Sequence, residues 1–242
     1  MNAARPRPRP PLRGFPQRNH PQRGRRRAIG LAAIGALVGA LTWMLLGSSL
    51  LDARSVQVIG TTELSADEVR TAAAVPLGVS VLQLDTGEIE ARVAAVPRVA
   101  GVQVGSTFSG TVRITVTERT PIAVRSAPDG VHLIDVTGTD YATIAEAPPG
   151  LPELEVARTA PDDPATLAAI TVLIGLSPPL RNQVLSVTAN SPADVVLRLA
   201  DDREVRWGGV ESADRKAATL TALLTQPGQI YDISSPDLPT IS

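Results

Sequence analysis

Cysteine is absent from the 242 residues, so the chain has no disulfide framework, no thiol nucleophile and no thiolate metal site. A chain of this length buries enough apolar area to fold without such staples. Histidine is nearly absent as well. His20 and His132 lie on opposite sides of a long uncharged run, which excludes a histidine-rich metal centre. Aromatic residues make up 2% of the chain, and Lys216 is the only lysine. Neither a G-x-S-x-G nucleophile turn nor a glycine-rich phosphate loop occurs. These absences remove most routes to metal-assisted, nucleophilic or nucleotide-dependent catalysis. Two further absences organise the chain: residues 1–27 contain no acid, and Ala28–Leu51 contain no charge.

The net charge of −1 hides a strong asymmetry. Nine arginines fall within residues 1–27, and without that arm the remainder carries 14 basic against 24 acidic residues, a net of −10. The arm mixes proline with arginine, has almost no apolar residues and is expected to be disordered. Lacking aromatic interleaving, it carries no nucleic-acid signature. The uncharged run that follows contains ten Leu, Ile or Val residues. As a helix it would measure about 36 Å against a hydrocarbon thickness near 30 Å, and those side chains favour insertion by roughly 3–6 kcal/mol. The run ends in Gly47-Ser48-Ser49-Leu50-Leu51-Asp52, with no small-residue cleavage site, so it reads as an uncleaved transmembrane helix. Arg25, Arg26 and Arg27 abut its start, which places residues 1–27 in the cytoplasm and the rest outside. Gly35 and Gly39 form a GxxxG spacing suited to close helix packing in lipid.

Beyond the run, the alternation of SVQVIG predicts a strand over residues 55–60. Ser65-x-x-Glu68 and Asp85-x-x-Glu88 have capping-box spacing and predict helices through about Ala74 and Ala95. Val99–Gly105 and Thr111–Glu118 alternate as strands. Two helices on a three-stranded sheet form a small α+β unit of order β-α-α-β-β over residues 55–118. A second, mixed β-rich unit with two helices is expected over residues 119–234. Its hairpin turns at Pro128-Asp129-Gly130, and its helices cover Ala165–Leu176 and Ser212–Leu224. Strands are expected over Val184–Thr188, Val195–Leu199 and Glu204–Trp207, with QIYDIS (residues 229–234) as the final strand and residues 235–242 as a tail.

Glu118-Arg119-Thr120-Pro121-Ile122-Ala123-Val124 is similar to the ER-x-P-x-A stretch that joins the two extracytoplasmic domains of the FtsQ/DivIB family of bacterial division proteins. Val56-x-Val58-x-Gly60, Leu133-Ile134-Asp135-x-x-Gly138, Leu151-Pro152-x-Leu154, Arg206-Trp207-Gly208, Lys216 and Tyr231-Asp232-Ile233 support it in order and spacing. The chain resembles the actinobacterial members, although Phe108-Ser109 stands where the family often has an aromatic-proline pair. The resemblance implies a POTRA domain over residues 55–118 and the family's β domain after it. It also implies a non-enzymatic scaffold at the division septum that needs no cofactor, metal or small-molecule substrate. Its implied partners are FtsB/DivIC-like and FtsL-like membrane proteins and, indirectly, the septal peptidoglycan synthase.

An edge strand leaves unpaired N–H and C=O groups to which a partner segment can add. Ile230, Tyr231, Asp232, Ile233 and Ser234 are therefore the candidate partner-binding residues, and Glu118, Arg119, Thr120 and Pro121 the candidate interdomain hinge. Two other readings are weaker. A wall hydrolase would need paired carboxylates or a triad through His132, yet the acids sit mostly in turns, where Asp serves the backbone. A POTRA-type polypeptide chaperone would normally carry several such units before a barrel, and no barrel-like series of strands follows.

Overall fold

The computed structural model describes residues 31–40, 43, 52–107 and 109–242. Arg25, Arg26, Arg27 and much of the expected membrane run lie outside the described residues. Residues 31–40 and 43 are helical, and Leu31, Ile34, Leu37, Val38 and Trp43 leave most of their apolar surface uncovered. Among the described residues, no helix is long and apolar enough to cross a membrane. A Cβ added at Gly35 or Gly39 would meet nothing within 4 Å.

The first unit follows the expected order: β1 (Ser55–Ile59), α1 (Ala66–Ala73), α2 (Thr86–Ala94), β2 (Val99–Ser106) and β3 (Thr111–Glu118). The capping box of α1 forms in full. Glu68 N–H donates to the Ser65 hydroxyl at 3.1 Å, and Ser65 N–H donates to the Glu68 carboxylate at 2.9 Å. At α2 the Glu88 N–H donates to Asp85 at 3.0 Å, while the Glu88 side chain pairs with Arg92 one turn on. The sheet order is β1-β3-β2, with β1 parallel and β2 antiparallel to β3. A parallel pair cannot be closed by a tight turn, so the two helices make the crossover. They bury Val69, Ala73, Ile89 and Val93 against Val112, Ile114 and Val116 of the central strand. Gly60 leaves β1 at φ +86, and a Cβ there would stand 2.1 Å from the Val116 carbonyl oxygen. That close approach explains the glycine.

The second sheet has nine strands in the order β12-β11-β10-β9-β8-β7-β4-β5-β6. Its strands are β4 (Pro121–Ala127), β5 (Gly130–Asp135), β6 (Asp140–Ile144), β7 (Glu153–Val156), β8 (Val184–Ser191), β9 (Asp194–Leu199), β10 (Glu204–Gly208), β11 (Ile230–Asp232) and β12 (Thr240–Ile241). α3 (Pro164–Gly175) crosses between the parallel strands β7 and β8, and α5 (Ala213–Leu223) between the parallel strands β10 and β11; the short α4 (Pro178–Arg181) follows α3. Both long helices join one apolar core with Leu154, Val187, Leu197, Val205, Trp207, Tyr231 and Ile233. The opposite face of β8–β11 carries Thr188, Arg198, Glu204, Arg206 and Asp232, the alternation of a sheet wetted on one side.

In α3 the buried set is Thr166, Ala168, Ala169, Ile170, Val172 and Leu173, whereas Leu167 and Ile174 remain exposed. The helix is apolar nearly all round, so its own pattern does not select a face. Residues 235–242, read as a tail, contain β12, which pairs antiparallel with β11 through Tyr231↔Ile241 and Asp232↔Thr240. QIYDIS is therefore not the last strand, and its regular part is three residues long.

Lys216 reaches into the core from α5 at 2% exposure, and its Nζ donates to the carbonyls of Trp207 and Gly209 at 2.9 Å each. Burial pushes its pKa down. The two carbonyls have left the β10 ladder, and the ammonium satisfies them where water does not reach. Replacing Lys216 with Ala should lower unfolding stability by about 2–4 kcal/mol, measured by urea denaturation. Lys216→Arg should not restore it, because the guanidinium is bulkier than the space left by an ammonium.

Candidate partner-binding edge and the joint that carries it

The five candidate residues do not present one surface. Tyr231 and Ile233 are fully buried in the core, and the Tyr231 hydroxyl donates to the Gln226 carbonyl at 2.7 Å. Its ring lies beneath the Arg203 guanidinium, 5.8 Å from the centroid. Ile233 lies beyond the strand but keeps its N–H bonded to the Arg206 carbonyl at 2.9 Å. Ile230 and Asp232 face the open side and are half-buried, and Ser234 is exposed, with its N–H and hydroxyl both donating to Asp232. The candidates divide by strand alternation: Tyr231 and Ile233 build the core, while Ile230, Asp232 and Ser234 look outward. Gly208 is required by this packing. At φ +73, a Cβ there would stand 2.9 Å from the Ser234 Cβ.

The edge itself is β12. Ser242 and Ile230 exchange both main-chain bonds, at 2.9 and 3.0 Å, so alternation turns the Ile241 N–H and C=O away from β11. On the open face beside it, Ile230 stands next to Glu204, whose antiparallel partner is Arg198. Asp232 stands next to Arg206, whose partner is Val196. The result is a strip of opposite charges in neighbouring positions, with Arg206 and Glu204 ion-paired, around two half-buried aliphatic side chains, Ile230 and Val196, running up to an unpaired backbone edge.

Glu118 to Pro121 connect the two sheets, and each of the first two residues has a structural task. The Glu118 carboxylate accepts from the N–H groups of Thr62, Glu63 and Leu64 at 2.6, 3.0 and 3.0 Å, pinning the chain that leaves β1. Desolvation acts to raise its pKa, but these three bonds outweigh it and hold the carboxyl below its ordinary value. Arg119 reaches both units: Nε donates to the Pro97 carbonyl at 3.0 Å, and the guanidinium pairs with Asp135 of β5 at 2.5 Å. Asp135 is 2% exposed and also accepts from Thr137 and Thr139. Burial pushes its carboxyl up, yet the bonds from Thr137, Arg119 and Thr139 bring it below the usual range. Thr120 is exposed, and Pro121 opens β4.

A family model described as "POTRA domain, FtsQ-type" matches residues 51–119. A second, described as "Cell division protein FtsQ/DivIB, C-terminal", matches residues 123–238. The join between the two matches falls on the Glu118–Pro121 connection. The chain belongs to the FtsQ/DivIB family of cell-division proteins. It is 43% identical over 219 residues to the Cell division protein FtsQ of Mycolicibacterium smegmatis, covering 90% of this chain and 66% of that protein. Identity to the Mycobacterium leprae FtsQ is 45% over 188 residues, covering 78% and 55%. The FtsQ of Streptomyces bingchenggensis is 36% identical over 230 residues, covering 90% and 87%. The chain thus spans 66% of the Mycolicibacterium smegmatis protein and 55% of the Mycobacterium leprae protein, less than two thirds of either.

In this FtsQ-family fold several of the turn carboxylates are held by other groups. Asp163 caps α3 through the Thr166 N–H, Asp162 pairs with Arg158, and Asp201 pairs with Arg203. His132 lies between two acids, with Nδ1 at 2.7 Å from Asp140 and Nε2 at 3.0 Å from Asp129. Neither nitrogen is left to accept a hydroxyl proton, so the triad arrangement does not form. The sequence reading missed Asp140 because β6 is short, and it assigned no role to Asp135 beyond its motif. Its place at the end of the predicted second hairpin strand, within Leu133-Ile134-Asp135-x-x-Gly138, was the available signal.

The contact with Asp129, foremost, and that with Asp140 raise the His132 pKa above its ordinary value against the opposing effect of burial. The folded pKa is therefore higher than the unfolded one. The stabilisation is complete below about pH 6.5 and disappears as pH rises through the folded value. Thermal melts of the parent chain and His132→Gln should differ most near pH 5 and converge in mild alkali. Replacing Asp135 with Ala leaves Arg119 unpaired and frees two N–H donors. Stability should fall by about 2–4 kcal/mol, and limited proteolysis should show earlier cleavage at residues 119–121.

Proposed function

We propose that this FtsQ-family chain is a single-pass, non-enzymatic scaffold of the division machinery. In this reading residues 1–27 are cytoplasmic, 28–51 span the membrane with Arg25–Arg27 fixing the orientation, and Gly35 and Gly39 receive another helix. The POTRA domain (55–118) and β domain (119–234) lie outside, joined stiffly at Glu118–Pro121. An FtsB/DivIC-like protein adds an extended segment to the sheet edge. An FtsL-like protein sits in the same complex, and the septal peptidoglycan synthase is reached through them.

The observation that carries this reading is the end of the nine-stranded sheet on a two-residue strand, β12, with outward main-chain groups at Ile241. Strand addition supplies about 0.5–1.5 kcal/mol net per hydrogen bond. Ile230 and Val196 provide the apolar anchors a partner needs beyond those bonds, and Arg198, Arg206, Glu204 and Asp232 provide charge selectivity. Tyr231 and Ile233 contribute from behind by holding β11 flat on the core. The commitment of Asp129, Asp135, Asp140, Asp162, Asp163 and Asp201 to caps and ion pairs favours a binding role over hydrolysis.

Two substitutions separate the edge from the core. Ile241→Pro removes the outward N–H, and Ile230→Lys places charge on the open face. Each should weaken capture of a purified FtsB-like extracytoplasmic segment at least about tenfold, or about 1.4 kcal/mol, with the thermal midpoint little changed for the Ile230 variant and lowered for the Ile241 variant, whose side chain packs against the core. Undiminished capture by both variants would rule out the edge as the binding site.

A further inference from the structure

The loop between α1 and α2, residues 74–84, reads AVPLGVSVLQL and contains no charged residue. Loops at a protein surface are normally polar, and this one instead exposes Leu77 by 59% and Leu82 by 57%. Its place in the fold gives that exposure a meaning. Asp52, the first residue after the uncharged run, forms an isolated antiparallel bridge with Ser80 in the middle of the loop. Ala53 N–H donates to the Val79 carbonyl at 2.8 Å, and Gly78 N–H donates to the Ala53 carbonyl at 2.9 Å. Bridged backbones lie about 5 Å apart. Leu77 and Leu82 are three and two residues from Ser80, so their backbones sit within about 15 Å of Asp52, where the apolar run ends.

The loop is also built to hold that position. Val81 is 5% exposed and packs in the core of the first sheet with Val69 and Ile89, while Val75 and Leu84 pack against the same core. Leu77 and Leu82 therefore project from a backbone anchored on both sides, to the Asp52–Ala53 segment and to the helices. An apolar pair fixed beside a membrane exit point, with no charge in the loop to be desolvated, suits the headgroup–acyl boundary.

We propose that residues 74–84 dock on the bilayer leaflet facing the folded body, with Leu77 and Leu82 inserted at the level of the acyl carbonyls. The span and this loop then make two attachments, so the first sheet stands on the membrane at a defined angle instead of swivelling on Asp52. That angle sets the height and direction in which the Glu118–Pro121 joint presents the second sheet. The inference rests on the reading of residues 28–51 as the span.

The absence of cysteine makes the test direct. Leu77→Cys, Leu82→Cys, Leu37→Cys and Leu185→Cys are made singly in the full chain, labelled with an environment-sensitive fluorophore and reconstituted in phosphatidylglycerol–phosphatidylethanolamine nanodiscs. Leu37 reports on the span. Leu185, 51% exposed on β8 of the other sheet, is the aqueous control. With nitroxide near the carbonyl end of the acyl chains, positions 77 and 82 should lose at least about half their fluorescence while position 185 keeps its own. Leu37 should respond to nitroxide deep in the chains. Quenching at 37 with none above control at 77 and 82 overturns loop docking and leaves the span intact. No quenching at 37, 77 or 82 overturns both.

Discussion

The arrangement depends on one guanidinium. Arg119 is the first residue after β3, and its side chain holds the Pro97 carbonyl of the first unit and the buried Asp135 carboxylate of the second. A flexible linker would leave two bodies to diffuse separately. A planar fork bonded on both sides fixes direction as well as distance. Glu118, one residue earlier, secures the loop leaving β1 with three main-chain bonds, which ties the start of the joint to the first sheet. Pro121 limits Thr120 to extended backbone. The family motif thus coincides with residues whose side chains bond to the chain leaving β1, to Pro97 and to Asp135.

From that connection the second sheet extends in both directions from β4. Three strand pairings in it are parallel, β4–β7, β7–β8 and β10–β11, and the last two are closed by α3 and α5. Both helices pack into the same core, so one face of the sheet is covered; the other stays open over β8–β11, while Val124, Leu133 and Tyr141 form a smaller buried cluster at β4–β6. The open face and the β12 edge follow from chain connectivity before any partner is considered. Lys216 belongs to the same construction. Where β10 ends, the carbonyls of Trp207 and Gly209 are taken by an ammonium from α5, which ties the crossover helix to the strand it follows.

Much of this was legible in the sequence where a short-range rule applied. The alternation in Ser55–Ile59 and Thr111–Glu118 marks strands because one face of each is buried, and Ser65-x-x-Glu68 marks a helix start because the reciprocal bonds are local. β6 and β7 escaped notice for the opposite reason. DYATI and ELEV are too short to display a period, and β7 meets β4 through a single residue pair, Val124↔Glu153. The candidate binding strand was located correctly in the chain but not in the sheet. Its alternation separates Tyr231 and Ile233 from Ile230 and Asp232, yet does not say which set is inward.

By itself the sequence determined the basic arm, the uncharged run, the two successive units and the family, because charge, hydropathy and local motifs are written residue by residue. Tertiary structure alone decided that Thr240 and Ile241 cover β11, that Asp135 faces Arg119 and that the 74–84 loop meets Asp52. Each of those is a pairing between residues whose individual sequences favour it only weakly. Their free energy arises when a packed core brings two backbones or two charges together, and that proximity is a property of the folded chain.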